Sequence, residues 1–214
     1  FFLGGRALPL CARCTGTFLG ATVSLLAAAW RGRGRSGSLP PAGILGVLVL
    51  SIAVWAVDGL NSFLSLFPNL PSLYAPSNLL RLATGLLNGV ALTNLALPVA
   101  NLTLWEVPCP EPPLRTWGEL ASLWAVLGVC GALVAWGPGP LYGPVAFWSI
   151  LGVVALLTLV NSVIAAVVLG REGKARTLQD LTLPLALGFL LTCGEVAGIV
   201  TLRTWLEARL GLLR

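Results

Sequence analysis

The chain has 214 residues, of which 57% are hydrophobic and only 10% are charged. Soluble domains carry about 25% charged residues, so this composition excludes an ordinary soluble protein. The net charge is +5, but the basic residues lie in short segments between apolar stretches and no basic patch is interleaved with aromatics. We therefore expect a lipid bilayer as the partner and no binding of nucleic acid.

Six apolar segments are long enough to cross a hydrocarbon core of about 30 Å. They cover residues 14–30, 40–57, 78–100, 117–136, 142–169 and 181–206. Inside lipid the backbone must satisfy its own hydrogen bonds, and the alternating pattern of barrel strands is missing. The sequence thus predicts an all-α, polytopic integral membrane bundle that forms a single membrane domain over residues 1–214.

The charges between the spans predict an orientation. Basic residues lie in residues 31–35, after the first span, and in residues 171–176, after the fifth. Short basic loops stay in the cytoplasm, so the N-terminus is predicted to be extracytoplasmic. Arg203, Arg209 and Arg214, near the C-terminus, oppose this orientation. No signal-peptide pattern is visible in the residues given.

A cysteine pair directly precedes the first span, in Cys11-Ala12-Arg13-Cys14. Three interpretations are open. Two thiols at this spacing can form a reversible disulfide, and a neighbouring cation such as Arg13 favours the thiolate. The same spacing is half of a four-ligand zinc or iron site. The pair can also be purely structural, as a disulfide or as two thiols at a helix start.

Polar residues also gather at the outer ends of the second and third spans. Asp58 and Asn61 are three residues apart, and Asn78 and Arg81 share one face of the third span. Arg81 lies about one turn inside the membrane, where an ionisable group needs a partner. We predict Asp58 as that partner. Together with Arg13 and the thiols, these residues form either a polar pocket or an ion pair that only fixes helix packing.

A third candidate lies in the middle of the sixth span. Glu195 is a carboxylate at mid-membrane depth, which is costly and points to proton or ion handling. A neutral, hydrogen-bonded glutamate is the alternative, with Asn161 of the fifth span as its predicted partner. Two small-xxx-small patterns, Gly16/Gly20 and Gly85/Gly89, predict close helix packing.

The N-terminal residues resemble a known family. The Cys-Ala-Arg-Cys-Thr-Gly string at residues 11–16 is similar to the signature of domain of unknown function 2085, a family of prokaryotic predicted membrane proteins. Residues 58–61 and 77–85 resemble its next blocks, so the likeness covers about the first 90 residues. It implies a multi-pass protein of a prokaryotic cytoplasmic (inner) membrane.

The resemblance also implies candidate functional positions. Members of the family carry a Cys-His pair shortly before the segment that corresponds to Phe1. With Cys11 and Cys14 this pair would complete a four-ligand set for zinc or iron; the residues given contain no histidine. The further positions that the resemblance carries over are Asp58, Asn78 and Arg81.

Three functions remain open from the sequence. The first is a non-enzymatic subunit or scaffold of a membrane assembly, because loops are short and no soluble domain is visible. The second is a metal- or thiol-dependent protein that uses Cys11 and Cys14. The third is a small transporter that depends on Glu195 and much less on the thiols. Nucleophile-elbow and phosphate-loop motifs are missing, so the sequence favours a protein without enzymatic activity.

Overall fold

A computed structural model of the protein describes residues 1–67 and 71–209, and its regular structure there is almost entirely helical. A short antiparallel hairpin of β1 (Phe2–Leu3) and β2 (Arg6–Ala7) precedes the helices. The helices are α1 (Ala12–Trp30), α2 (Ala42–Leu64), α3 (Asn78–Leu104), α4 (Trp117–Trp136), α5 (Tyr142–Val168) and α6 (Thr182–Arg209). All six are long and apolar enough to cross a membrane, so the predicted all-α membrane fold is confirmed. Arg214 lies outside the described residues.

The observed helix bounds differ most from the prediction in α2. The apolar pattern ends at Val57, but α2 continues to Leu64. Asp58 and Asn61 do not end the helix because both side chains turn into the bundle and are buried there. The first polar residues after the apolar segment therefore do not mark the end of α2, which is about two turns longer than predicted.

Helices α1 and α3 run parallel and approach each other more closely than any side chain would allow. A Cβ atom at Gly16 would lie 2.4 Å from the carbonyl oxygen of Leu82, and one at Gly85 would lie 2.3 Å from that of Arg13. At Gly89 the corresponding distance, to the carbonyl oxygen of Thr17, is 2.1 Å. The two small-xxx-small patterns thus serve helix packing, as the sequence predicts.

The helices differ in how far the bundle covers them. In the most apolar stretch of each span, 67% of the residues of α3 are buried but only 11% of those of α6. Helix α6 packs mainly on α5, and the positions of Gly194 and Gly198 face open space. Helix α3 is therefore the centre of the bundle and α6 is its edge.

The segments that follow α1, α3 and α5 meet at one end of the bundle. Backbone bridges join Ser36 to Cys109 and Trp105 to Ala175, and the Arg35 guanidinium lies 3.6 Å from the centre of the Trp105 ring. Both basic loops are thus at the same end, and Cys11 is at the opposite one.

Replacing Gly89 by alanine should separate α1 from α3. The new methyl group would meet the backbone of α1, which cannot move aside alone, so we expect the free energy of unfolding to fall by about 1–3 kcal/mol. Denaturation in mixed micelles measures this loss. Gly46→Ala is the matched control, because its Cβ position in α2 is open. Equal stability of the two variants would contradict the close α1–α3 contact.

Candidate functional site

An ion pair joins the first two helices at the end of the bundle that carries the thiols. Arg13, in the first turn of α1, donates from Nη2 to Oδ2 of Asp58 at 2.6 Å and from Nε to the same oxygen at 3.0 Å. Nη2 also donates to the Asp58 carbonyl oxygen at 3.0 Å. The Asp58 side chain is 1% exposed, so the charge of this carboxylate is neutralised inside the protein.

Two hydroxyl groups complete the surroundings of the carboxylate. Tyr74 donates to Asp58 Oδ1 at 2.9 Å, and Thr84 of α3 donates to Oδ2 at 3.3 Å. Burial raises the pKa of Tyr74, and its hydrogen bond to the carboxylate raises that pKa further. Residues from three helices and one loop thus converge on a single carboxylate.

Asn61 fixes the loop that brings Tyr74 to this position. Its side-chain amide donates to the Tyr74 carbonyl oxygen at 3.0 Å, and its oxygen accepts from the Leu73 backbone amide at 2.7 Å. Because both groups of the buried amide are satisfied by loop backbone, Asn61 acts as a clamp between α2 and this loop.

The predicted ion pair between Asp58 and Arg81 is wrong. Arg81 instead donates from Nε to the Ser62 hydroxyl at 3.3 Å, and that hydroxyl also accepts from Arg13 Nη2 at 2.8 Å. Arg13 pairs with the carboxylate because α1 and α2 both pack on α3, and the long Arg13 side chain spans from α1 to Asp58. The two guanidinium groups and the one carboxylate give the cluster a charge of +1.

Asn78 does not join the cluster, although it shares a helix face with Arg81. It is the first residue of α3 and is exposed. Within the described residues it makes no hydrogen bond to the Asp58 cluster. Ser77, directly before it, caps α3 by accepting from the Leu80 backbone amide at 3.2 Å.

The thiols lie at the N-terminal end of α1, next to the ion pair. Cys11 caps the helix, and its sulfur accepts from the Cys14 backbone amide at 3.4 Å. Both cysteines are free, with Cys11 exposed and Cys14 half-buried. The side-chain hydrogen bond from Cys14, helped by the backbone amides of Cys14 and Arg13, lowers the pKa of Cys11 to about 5, although burial opposes this shift. These hydrogen bonds thus favour the thiolate form of Cys11 over the thiol.

Arg13 has a different role from the one that its position between the cysteines indicates. Its charge does favour the Cys11 thiolate, but it is the smallest contribution to the lowered pKa. The guanidinium group points to Asp58 instead. The thiolate depends mainly on its hydrogen bonds at the helix start.

The two thiols fit one half of a tetrahedral metal site. The start of α1 presents two free cysteine side chains within one turn, which matches the spacing of paired cysteine ligands for zinc or iron. Among the described residues, no group of three or more His, Cys, Asp or Glu side chains is placed to hold a metal. The Asp58 carboxylate is paired with Arg13 and is therefore not free to bind a metal. A complete site therefore needs ligands from outside these residues.

Glu195 forms a separate polar contact between α5 and α6. Asn161 donates to Glu195 Oε2 at 2.9 Å and to the Thr192 hydroxyl at 3.1 Å. The predicted Asn161–Glu195 partnership is confirmed. Asn161 is 4% exposed, whereas Glu195 is exposed at the edge of the bundle.

Sequence reasoning missed Tyr74, Thr84 and Ser62 as members of the Asp58 cluster. Tyr74 lies in an aperiodic segment, so no pattern gives the direction of its hydroxyl. Thr84 was detectable, because it follows Arg81 by three residues and thus lies on the same side of α3. Ser62 follows Asp58 by four residues, and this spacing was an equally available signal.

The fold and this polar end define an integral membrane helical bundle. Residues 1–95 match the model of a family described as "Predicted membrane protein (DUF2085)", so the resemblance seen in the sequence is confirmed over this part. The match contains the thiols and the whole Asp58 cluster, and α4–α6 lie beyond it. No curated protein and no solved structure matches the chain.

Replacing Arg13 by glutamine should destabilise the protein strongly. The change leaves the Asp58 carboxylate buried without its counter-charge, which costs about 3–5 kcal/mol of the free energy of unfolding. Arg81→Gln is the matched control and should cost less, because Arg81 donates only to a hydroxyl. Denaturation in mixed micelles compares the two, and Asp58→Asn should restore part of the loss caused by Arg13→Gln. A larger loss for Arg81→Gln would refute the observed pairing.

Proposed function

We propose that this membrane protein works through Cys11 and Cys14, which supply two ligands of a zinc or iron site at the end of α1. The observation that supports it most directly is the exposed, free Cys11 at the start of α1, with the free Cys14 one turn further along the helix. Metals bind thiolates rather than thiols, so a lowered pKa at an exposed position favours binding. The family resemblance supports an upstream Cys-His pair as the remaining ligands.

The surroundings of the pair favour a fixed site. Helix α1 is held on α3 by backbone contact at Gly16 and Gly85, and on α2 by the Arg13–Asp58 pair. Ligands on a rigid element keep their geometry without further ordering. A bound metal would supply structural cross-linking or Lewis acidity. Cys11 and Cys14 would bind the ion, and Arg13 would keep the Asp58 carboxylate from binding it.

Metal content of the full-length protein, purified in mild detergent, tests this proposal. We expect stoichiometric zinc or iron, and a loss of at least about tenfold in the Cys11→Ser/Cys14→Ser variant because half of the ligands are removed. Elemental analysis and a free-thiol count give the result. Cys193→Ser is the control, since this exposed cysteine lies on α6, far along the chain from the pair.

Metal-free wild-type protein would overturn the metal site. A reversible disulfide between Cys11 and Cys14 would then favour the redox function of the same pair. Thiols that stay reduced and inert, in a protein that migrates as a larger complex, would favour the subunit function.

The second candidate is a non-enzymatic subunit or scaffold of a membrane assembly. The observation that favours it is the poor coverage of α6, of which 11% is buried in its most apolar stretch. Two open glycines, Gly194 and Gly198, lie on this helix, and small residues allow close approach of a further helix. The mass of the purified complex in the experiment above separates this function from a metal site in a lone chain.

We also propose the prokaryotic cytoplasmic membrane as the location, with Cys11 outside. The support is the positive charge of the loops after α1 and α5, which lie at one end of the bundle. Single-cysteine variants that keep either Cys11 or Cys109 test it, because these residues lie at opposite ends. A membrane-impermeant maleimide should label Cys11 in intact cells and Cys109 only after lysis. The reverse pattern would invert the orientation.

A further inference from the structure

We propose that the protein binds the phosphate head group of an anionic phospholipid in a cavity between the end of α5 and the start of α6. The cavity has a volume of about 340 Å³, which is in the lower part of the range of about 300–1,000 Å³ for small-molecule pockets. It lies at the opposite end of the bundle from the thiols and is independent of the proposed metal site.

The lining of the cavity combines apolar and basic residues. Leu104, Leu181 and Pro184 contribute apolar surface, and Arg171 and Lys174 contribute two positive charges. A phospholipid likewise combines apolar acyl chains with a charged phosphate. Basic pockets between membrane helices are suited to such head groups.

The cationic groups have hydrogen-bond capacity left for a ligand. Arg171 forms no ion pair at bonding distance within the described residues, although the pKa of the nearby Asp180 carboxyl is lowered by backbone hydrogen bonds and, to a smaller extent, by the Arg171 charge. Lys174 donates to the Gly170 carbonyl oxygen and has two further N–H donors. Arg176, by contrast, is engaged in an ion pair with Glu106 and does not line the cavity.

The acidic group at the cavity is largely satisfied by its own loop. Asp180 accepts at Oδ2 from the Thr177 backbone amide at 2.8 Å and from the Arg176 amide at 3.0 Å. The lining residues carry two positive charges and one negative charge, so a net charge of +1 faces the ligand. Glu172 lies in the same loop but does not line the cavity.

Backbone contacts hold the basic part of the lining in place before any ligand arrives. Gly170 has a positive φ of 60°, and the Arg171 amide donates to the Ala166 carbonyl oxygen at 2.8 Å, as in a Schellman C-cap. The amides of Gly173 and Ala175 donate to carbonyl oxygens at the end of α3, at 2.8 and 3.1 Å. A preformed site loses less entropy on binding.

The position along the membrane normal suits a head group. Leu169 directly follows α5 and Leu181 directly precedes α6, so the cavity lies where two membrane spans reach the interface. Helix α6 also starts here without an acidic residue in its first turn, and a helix start favours anions. The two cations, the start of α6 and the apolar lining residues are all suited to an anionic phospholipid.

Native mass spectrometry of the full chain in detergent tests the proposal with phosphatidylglycerol and phosphatidylcholine of equal acyl chains. We expect retention of one phosphatidylglycerol and little phosphatidylcholine. Arg171→Gln/Lys174→Gln should weaken retention by about 5-fold for each charge removed, which corresponds to about 1 kcal/mol each. Arg31→Gln/Arg115→Gln, which removes the same charge from other loops at the same end, should retain the lipid as the wild type does.

Three results would overturn the lipid site. Equal retention of the two lipids would show that the phosphate charge is not recognised, and unchanged retention in Arg171→Gln/Lys174→Gln would remove the cavity from the explanation. Binding of inorganic phosphate without any retained lipid would assign the site to a free anion. The single variant Arg171→Gln is tested in case the double variant misfolds, because no described hydrogen bond depends on the Arg171 side chain. It should weaken retention of phosphatidylglycerol about 5-fold.

Discussion

The structure depends on one buried charge, the carboxylate of Asp58. A carboxylate removed from water is strongly unfavourable unless it is paired and hydrogen-bonded, and Asp58 is almost fully buried. Compensation requires the first turn of α1 beside the end of α2, and the loop after α2 folded back so that Tyr74 reaches the same group. The position of the thiols follows, because Cys11 and Cys14 flank the arginine that makes the pair.

The backbone contact of α1 with α3 makes this compensation possible. Thr84 reaches Asp58 from α3, which packs on α2, and Gly85, its neighbour, leaves room for the Arg13 carbonyl group of α1. Packing and charge pairing thus support each other at one place. The match to the family covers residues 1–95, which include both features. The match thus contains both the helix packing and the charge pairing, whereas the proposed lipid cavity is lined by residues beyond it.

The sequence predicted what hydropathy and helical spacing determine. Six spans, the meeting of polar residues at one end and the Asn161–Glu195 contact follow from segment length and from which residues share a face or depth. The choice between Arg13 and Arg81 as partner of Asp58 does not follow, because both lie at the same end and spacing within a helix says nothing about the distance between helices. The prediction that Asn78 belongs to the polar cluster is wrong for a related reason. Asn78 shares a helix face with Arg81, but it is the first residue of α3 and the neighbouring helices do not cover it.

The contact between α1 and α3 also changes which atoms hold the two helices together. A glycine carries a hydrogen where another residue has Cβ, and at Gly16, Gly85 and Gly89 this direction leads straight to a carbonyl oxygen of the other helix. Such Cα–H···O contacts are worth about 0.5–1 kcal/mol each, and lipid offers the carbonyl groups no competing water. Gly20 makes the same approach to the Leu86 carbonyl oxygen. The first and third spans are thus joined by their main chains, so their alignment is set by the spacing of four glycines rather than by the identity of the surrounding apolar side chains.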